Sequence, residues 1–157
     1  KKEVLMKKLP DLRMDFARLV VASKRSLCGQ HVTEIIYGSD EVSEQINKNR
    51  PALNGLLKNG ANIYALWVKK STKSPWKLMY IGQRKAESIY QRLVQHLFTK
   101  NKKTGSKLER IRAALLRGEK IGVTVIHIEP DELRTSVEER LIRILREDGL
   151  CEWNIHS

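Results

Sequence analysis

The sequence is short of the features that mark several protein classes. Only two cysteines occur, Cys28 and Cys151. They lie far apart and form no C-x-x-C pair, so neither a disulfide framework nor a cysteine-based zinc site is indicated. Two reduced thiols in a cytoplasmic protein are the expectation. Long apolar runs are missing too. The longest, Ile63–Val68 and Ile121–Ile128, have strand length and fall well below the roughly 18–20 residues that span a bilayer. Lys1, Lys2, Lys7 and Lys8 lead into Leu9-Pro10-Asp11 rather than an apolar core segment, so no secretory leader is expected. There is no internal repeat and no low-complexity tract. Negative charge is the scarce sign, with 18 Asp and Glu against 30 Lys and Arg.

What is present is an ordinary globular balance, 41% hydrophobic and 31% charged, on 157 residues, enough for one domain with a working core. The net charge of +12 is unevenly placed. Residues 69–120 hold 15 Lys and Arg against 3 Asp and Glu, a surplus equal to that of the whole chain. Residues 121–157 hold 4 against 8. A concentrated positive field favours a polyanion, and nucleic acid is the common one. The basic residues are spread over a loop and two helical segments, unlike a membrane-surface helix with one strong apolar face.

Hydrophobic spacing divides the chain in two. Residues 1–60 read as an N-terminal helical arm. Asp11 to about Ser23 lines up Leu12, Phe16, Leu19 and Val20 at helical period. Ser39-Asp40 is a good cap for a segment bearing Val42 and Ile46, and Pro51 suits the first turn of a further short helix ending near Gly60. Residues 61–157 read differently. Asn62–Val68 and Lys77–Ile81 form an antiparallel hairpin around the turn-like 70–76 segment. Ala86, Ile89, Tyr90, Leu93, Val94 and Leu97 keep helical spacing. A basic loop follows to Gly105. Ser106-x-x-Glu109 forms a capping box for a helix ending near Gly118. Ile121–Ile128 is a third strand, stopped by Glu129-Pro130. Asp131 to Asp148 is a last helix, and Trp153-Asn154 a short extended tail. The sum is an α+β domain, a small three-stranded antiparallel sheet flanked by helices.

Four pieces of this second part stand in a telling order. The first strand holds Asn62-Ile63-Tyr64, the second Tyr80-Ile81-Gly82. The next helix carries Arg92 and His96, and the last carries Glu138 ahead of a Trp-Asn tail. Over about residues 61–154 this resembles the GIY-YIG nuclease superfamily, most closely its restriction endonuclease type. Asn62 stands where that family has Gly, a departure expected to alter strand packing rather than chemistry.

The resemblance implies a magnesium- or manganese-dependent endonuclease that hydrolyses DNA phosphodiester bonds. It implies that Tyr64 activates the attacking water and that Tyr80 helps position water or phosphate. A phenol near pKa 10 is a poor base unless cations lower it, and Arg92 with a metal would do so. Arg92 and His96, four residues apart on the polar side of their helix, fall over one patch. The guanidinium matches a phosphate, and the imidazole relays a proton or holds a tyrosine hydroxyl. Glu138 is the expected metal ligand, since one carboxylate with waters and phosphate oxygens is a usual magnesium set. Glu139 reads as its solvent-facing neighbour, and Asn154 as support for the site. Lys69, Lys70, Lys73, Lys77, Lys100, Lys102, Lys103 and Lys107 are the expected DNA footing. Trp76 is expected to stack on bases or to cap the sheet. A palindromic target would call for a symmetric homodimer. The alternatives are a repair, recombination or nonspecific nuclease of the same superfamily, and a non-catalytic nucleic-acid-binding module.

Overall fold

The structure, a computed structural model, describes residues 15–99 and 106–154. Five helices and four strands alternate along these residues: α1 (Phe16–Gly29), β1 (Thr33–Glu34), α2 (Val42–Leu57), β2 (Ile63–Lys69), β3 (Trp76–Gln83), α3 (Ala86–Leu97), α4 (Leu108–Leu116), β4 (Lys120–Ile126) and α5 (Arg134–Glu147). The expected start of the first helix at Asp11, with Leu12, lies outside the described residues. So does the basic loop beyond Thr99, with Lys100, Lys102 and Lys103.

The strands form one antiparallel sheet in the order β1-β4-β2-β3. The sheet therefore has four strands, not the expected three. The extra one is the two-residue β1, inside the stretch read as purely helical. Two residues carry no periodicity, so the sequence offered no signal for it.

β2 is the centre of the molecule. It pairs with β4 on one side and β3 on the other, and every residue from Ile63 to Val68 is buried. Its alternating side chains feed two cores. Ile63, Ala65 and Trp67 point to one face, where α1 and α5 pack, and α5 buries Val137, Leu141 and Leu145 there at helical spacing. Each such aliphatic contributes roughly 1.5–3 kcal/mol through burial. Tyr64, Leu66 and Val68 point to the other face, under α2, α3 and α4.

Helix α2 continues unbroken through Pro51, where two separate helices were expected. Asn49 and Leu53, on either side of the proline, are both buried and anchor the two halves, while the ring itself stays exposed. Its cap also differs: Glu41 precedes the first helical residue, and Ser39 instead accepts from the Glu41 N–H at 3.2 Å. At the C-terminal end, the expected extended tail is a 3₁₀ turn, Glu152–Asn154, with Trp153 buried. Trp76 opens β3 opposite Lys69, half-buried and packed near Gly122, so it caps the sheet.

Loose ends of the backbone are closed by side-chain amides. Asn154 accepts from the Ile81 N–H and donates to the Ile81 carbonyl, both at 2.9 Å, along the outer edge of β3. Asn62 does the same to Ile128 at 2.7 and 2.9 Å, and Asn49 to Ile36 at 2.8 and 2.9 Å. Gln30 engages Val125 at 2.8 and 3.4 Å. Each carboxamide reproduces one rung of a strand ladder and satisfies a backbone pair that burial would otherwise penalise.

Gly82 is fixed by the ring opposite. It pairs with Tyr64 across the β2–β3 ladder, and a Cβ there would lie 2.3 Å from both Cζ and the hydroxyl of Tyr64. We expect Gly82→Ala to displace that ring and to destabilise the protein by about 1–3 kcal/mol. Gly55→Ala, inside α2 with nothing within 4 Å of the added carbon, should instead stabilise by about 0.5–1 kcal/mol. Urea unfolding of both variants checks the pair, and equal effects would refute the packing argument.

Candidate active site

Because β3 is an edge strand, side chains from the two faces of the sheet can meet around its end. Tyr64 of β2 and Tyr80 of β3 lie with ring centroids 6.2 Å apart. The His96 ring lies 5.6 Å from Tyr64 and 5.1 Å from Tyr80. The Tyr64 hydroxyl and His96 Nε2 are 2.8 Å apart in a hydrogen bond. Arg92, one turn earlier on α3, sits close enough to favour the ionised form of both tyrosines. Glu138 reaches the same place from α5, on the opposite face, and its charge raises the Tyr80 pKa. The structure thus brings Tyr64, Tyr80, Arg92, His96 and Glu138 together.

Two features of this group depart from the sequence reading. Arg92 and His96 are not on a polar outer face of α3: they are 6% and 0% exposed and belong to its buried stripe. Polar side chains of that kind stay inside only with partners. Arg92 donates to Gln95 at 3.1 Å, and His96 bonds to Tyr64 and to the Lys107 backbone. The second departure is electrostatic. Burial pushes the Tyr64 hydroxyl well above the ordinary phenol value, and Arg92 and Arg84 only partly offset it. Tyr80 is raised for the same first reason. In the free protein both therefore hold their protons at neutral pH.

Asn154 does not join the cluster. Its amide is spent on the Ile81 backbone, one residue from Tyr80, so it positions the strand that carries the tyrosine. Glu139 is exposed, as the resemblance implied. Of the expected DNA footing, Lys70 and Lys73 are exposed on the hairpin turn. Lys77 is paired with Glu152 at 2.8 Å, and Lys69 lies 5.6 Å over the Trp76 ring. Lys107 is closer to the chemistry, with its ammonium 5.4 Å over the Tyr80 ring.

Sequence reasoning missed three contributors. Arg84 follows β3 and pulls Tyr64, Tyr80, His96 and Glu138 all downward, the mark of a cation central to the group. The Lys107 N–H, given to His96 at 2.9 Å, is a backbone group that no residue pattern announces. It also explains why α4 begins at Leu108 without the Ser106 capping box. The third is a polar chain from Asn62 through Asp131 and Arg134 to Gln83. It ties the start of α5 to the ends of β2 and β3, and so sets where Glu138 stands. Asn62 is its first link.

Among the described residues no group of three or more His, Cys, Asp or Glu gathers to hold a metal. Magnesium needs no such cage, since one or two carboxylates with waters and phosphate oxygens suffice. Glu138, half-buried and facing Tyr80 and Arg84, fits as that carboxylate.

Burial, followed by repulsion from Glu139, pushes Glu138 up to about 7 from 4.5. Burial, followed by Arg92, Lys107 and Arg84, pushes His96 down to about 3 from 6.5. The signs oppose each other. The folded protein holds the Glu138 proton more tightly than the unfolded chain, so this contribution is full below 4.5 and is lost as pH rises through about 7. The folded protein holds the His96 proton less tightly, so its contribution is present above 6.5 and is lost as pH falls toward about 3. Glu138→Gln cancels only the first. With chelator present, the variant should gain in melting temperature over wild type between about pH 5 and about pH 8. A difference that stays flat across that range would show that Glu138 is not perturbed.

No family model, no curated protein and no solved structure matches the chain.

Proposed function

We propose that the protein is a metal-dependent endonuclease that hydrolyses DNA phosphodiester bonds with GIY-YIG chemistry. The observation that carries this reading is the convergence of two tyrosines, a buried arginine, a buried histidine and a half-buried glutamate at one edge of the sheet. A buried guanidinium facing phenols, with the half-buried Arg84 and Lys107 beside it, suits an anionic substrate with a water to activate. The charge surplus of residues 69–120 supplies the wider attraction.

Each side chain has a distinct task. Arg92 binds non-bridging phosphate oxygens and stabilises the charge that grows on them. Arg84 and Lys107 add positive potential on the same side. Tyr64, once ionised, takes a proton from the attacking water. The water oxygen bonds to phosphorus, the bond from phosphorus to the 3′ oxygen breaks, and that oxygen leaves with a proton from solvent. Tyr80 orients the water and phosphate. A magnesium or manganese ion held by Glu138 would stabilise the leaving oxygen. The resemblance of the motif order over residues 61–154 extends the proposal to a site-specific, restriction-type enzyme. Cutting both strands of a palindrome would then engage a homodimer. No helix among the described residues is long and apolar enough to cross a membrane.

Incubation with supercoiled plasmid and magnesium tests the reading. We expect discrete, chelator-sensitive fragments from the wild type. Tyr64→Phe should lose about 10²–10⁴-fold in rate and Arg92→Ala about 10²–10³-fold, with Glu138→Gln inactive and all three still folded. Nicks or a smear would keep the nuclease and remove the site-specific part. No cleavage by the wild type on several DNAs, with tight salt-sensitive binding, would leave a nucleic-acid-binding module.

A further inference from the structure

The tasks assigned to Tyr64 leave one question open, the role of the imidazole beside it. His96 is completely buried, and both of its ring nitrogens are engaged. Nδ1 lies 2.9 Å from the backbone nitrogen of Lys107. A peptide N–H can only donate, so Nδ1 must be the acceptor and carries no proton. A neutral imidazole bears one proton, which therefore sits on Nε2. Nε2 is 2.8 Å from the Tyr64 oxygen. The imidazole thus donates, and the phenol oxygen accepts.

We propose that the Lys107 backbone amide is a positioning group that fixes His96 as an Nε2–H donor to Tyr64, so that His96 stabilises the Tyr64 phenolate and is not the base that creates it. The proposal rests on the nuclease reading for the importance of Tyr64, but the assignment of the proton does not. A base at this position would need a bare Nε2, hence a proton on Nδ1 directed at the Lys107 N–H, donor against donor. An imidazolium would meet the same clash. It would also face Arg92 from its own helix, Arg84 beyond β3 and Lys107 just before α4, all positive, with the phenols of Tyr64 and Tyr80 alongside. The low pKa of His96 agrees with this arrangement. The phenol proton consequently leaves on the Tyr80 side of Tyr64, to water, and His96 keeps its own proton through the reaction.

The geometry makes Lys107 separable into two parts. Lys107→Met removes the ammonium and keeps the N–H. Lys107→Pro removes the N–H at the residue just before α4, where no hydrogen bond of the helix is lost. Nitrogen-15 NMR of the imidazoles, with His96→Asn identifying the His96 signals, reads the tautomer directly. Wild type and Lys107→Met should show a protonated Nε2 and a bare Nδ1, unchanged from about pH 5 to about pH 9. Lys107→Pro should show the other tautomer mixed in. In plasmid cleavage, His96→Gln, whose amide N–H reaches the place of Nε2, should outperform His96→Leu by about tenfold or more.

An Nδ1–H tautomer or a charged imidazole in the wild type would overturn the proposal, whether or not Lys107→Pro folds. Equal cleavage by His96→Gln and His96→Leu would overturn the donor role. A wild type that shows the Nε2–H signal yet cuts nothing would support the proton assignment and overturn the nuclease reading.

Discussion

Tyr64 places a buried phenol on the central strand of a sheet covered on both faces, where its hydroxyl needs a partner from the protein. That demand propagates. The hydroxyl needs His96, and the second nitrogen of His96 needs the Lys107 amide. Supplying that amide decides where α4 starts. The ring itself needs a bare backbone opposite, which only Gly82 provides. A buried polar group left without a partner costs about 1–3 kcal/mol, so the hydroxyl acts as a constraint that the strand, two helices and a turn all satisfy together.

The position of β3 at the sheet edge gives the cluster its electrostatic character. Helix α3 brings cationic and neutral groups over one face, and α5 brings a carboxylate from beneath the other. They meet only where the sheet ends. A central strand would have kept Glu138 and Arg92 separated by the sheet. The polar chain from Asn62 to Gln83 fixes the approach of α5, which makes the placement of a carboxylate depend on a side chain just ahead of a neighbouring strand.

The elements with strong periodicity were readable from sequence. Helix α3 has the limits its apolar residues indicate, and the hairpin and third strand fall within two or three residues of expectation, because alternation and helical spacing report burial directly. Of the six residues singled out for the site, Tyr64, Tyr80, Arg92, His96 and Glu138 lie together and Asn154 does not. Their burial was not legible, since Arg92 and His96 were counted as the wet side of a helix, and pattern alone cannot tell a solvated polar residue from one with a buried partner. The two-residue β1 was too short to register. Pro51 and the Trp153-Asn154 turn were decided by tertiary contacts, which override local preference. Arg84 had no motif to mark it, and the Lys107 amide has no side chain to be noticed.

The side-chain amides at Gln30, Asn49, Asn62 and Asn154 have a consequence for solubility. An exposed ladder of backbone groups can template another strand, and a sheet that ends that way can grow. A carboxamide docked on a single residue satisfies the rung and offers no continuing strand beyond it. Along the outer side of β3, Asn154 therefore acts as a chain terminator for sheet growth. Exchanging it for aspartate would leave an acceptor facing the Ile81 carbonyl and reopen that edge to pairing with a second molecule.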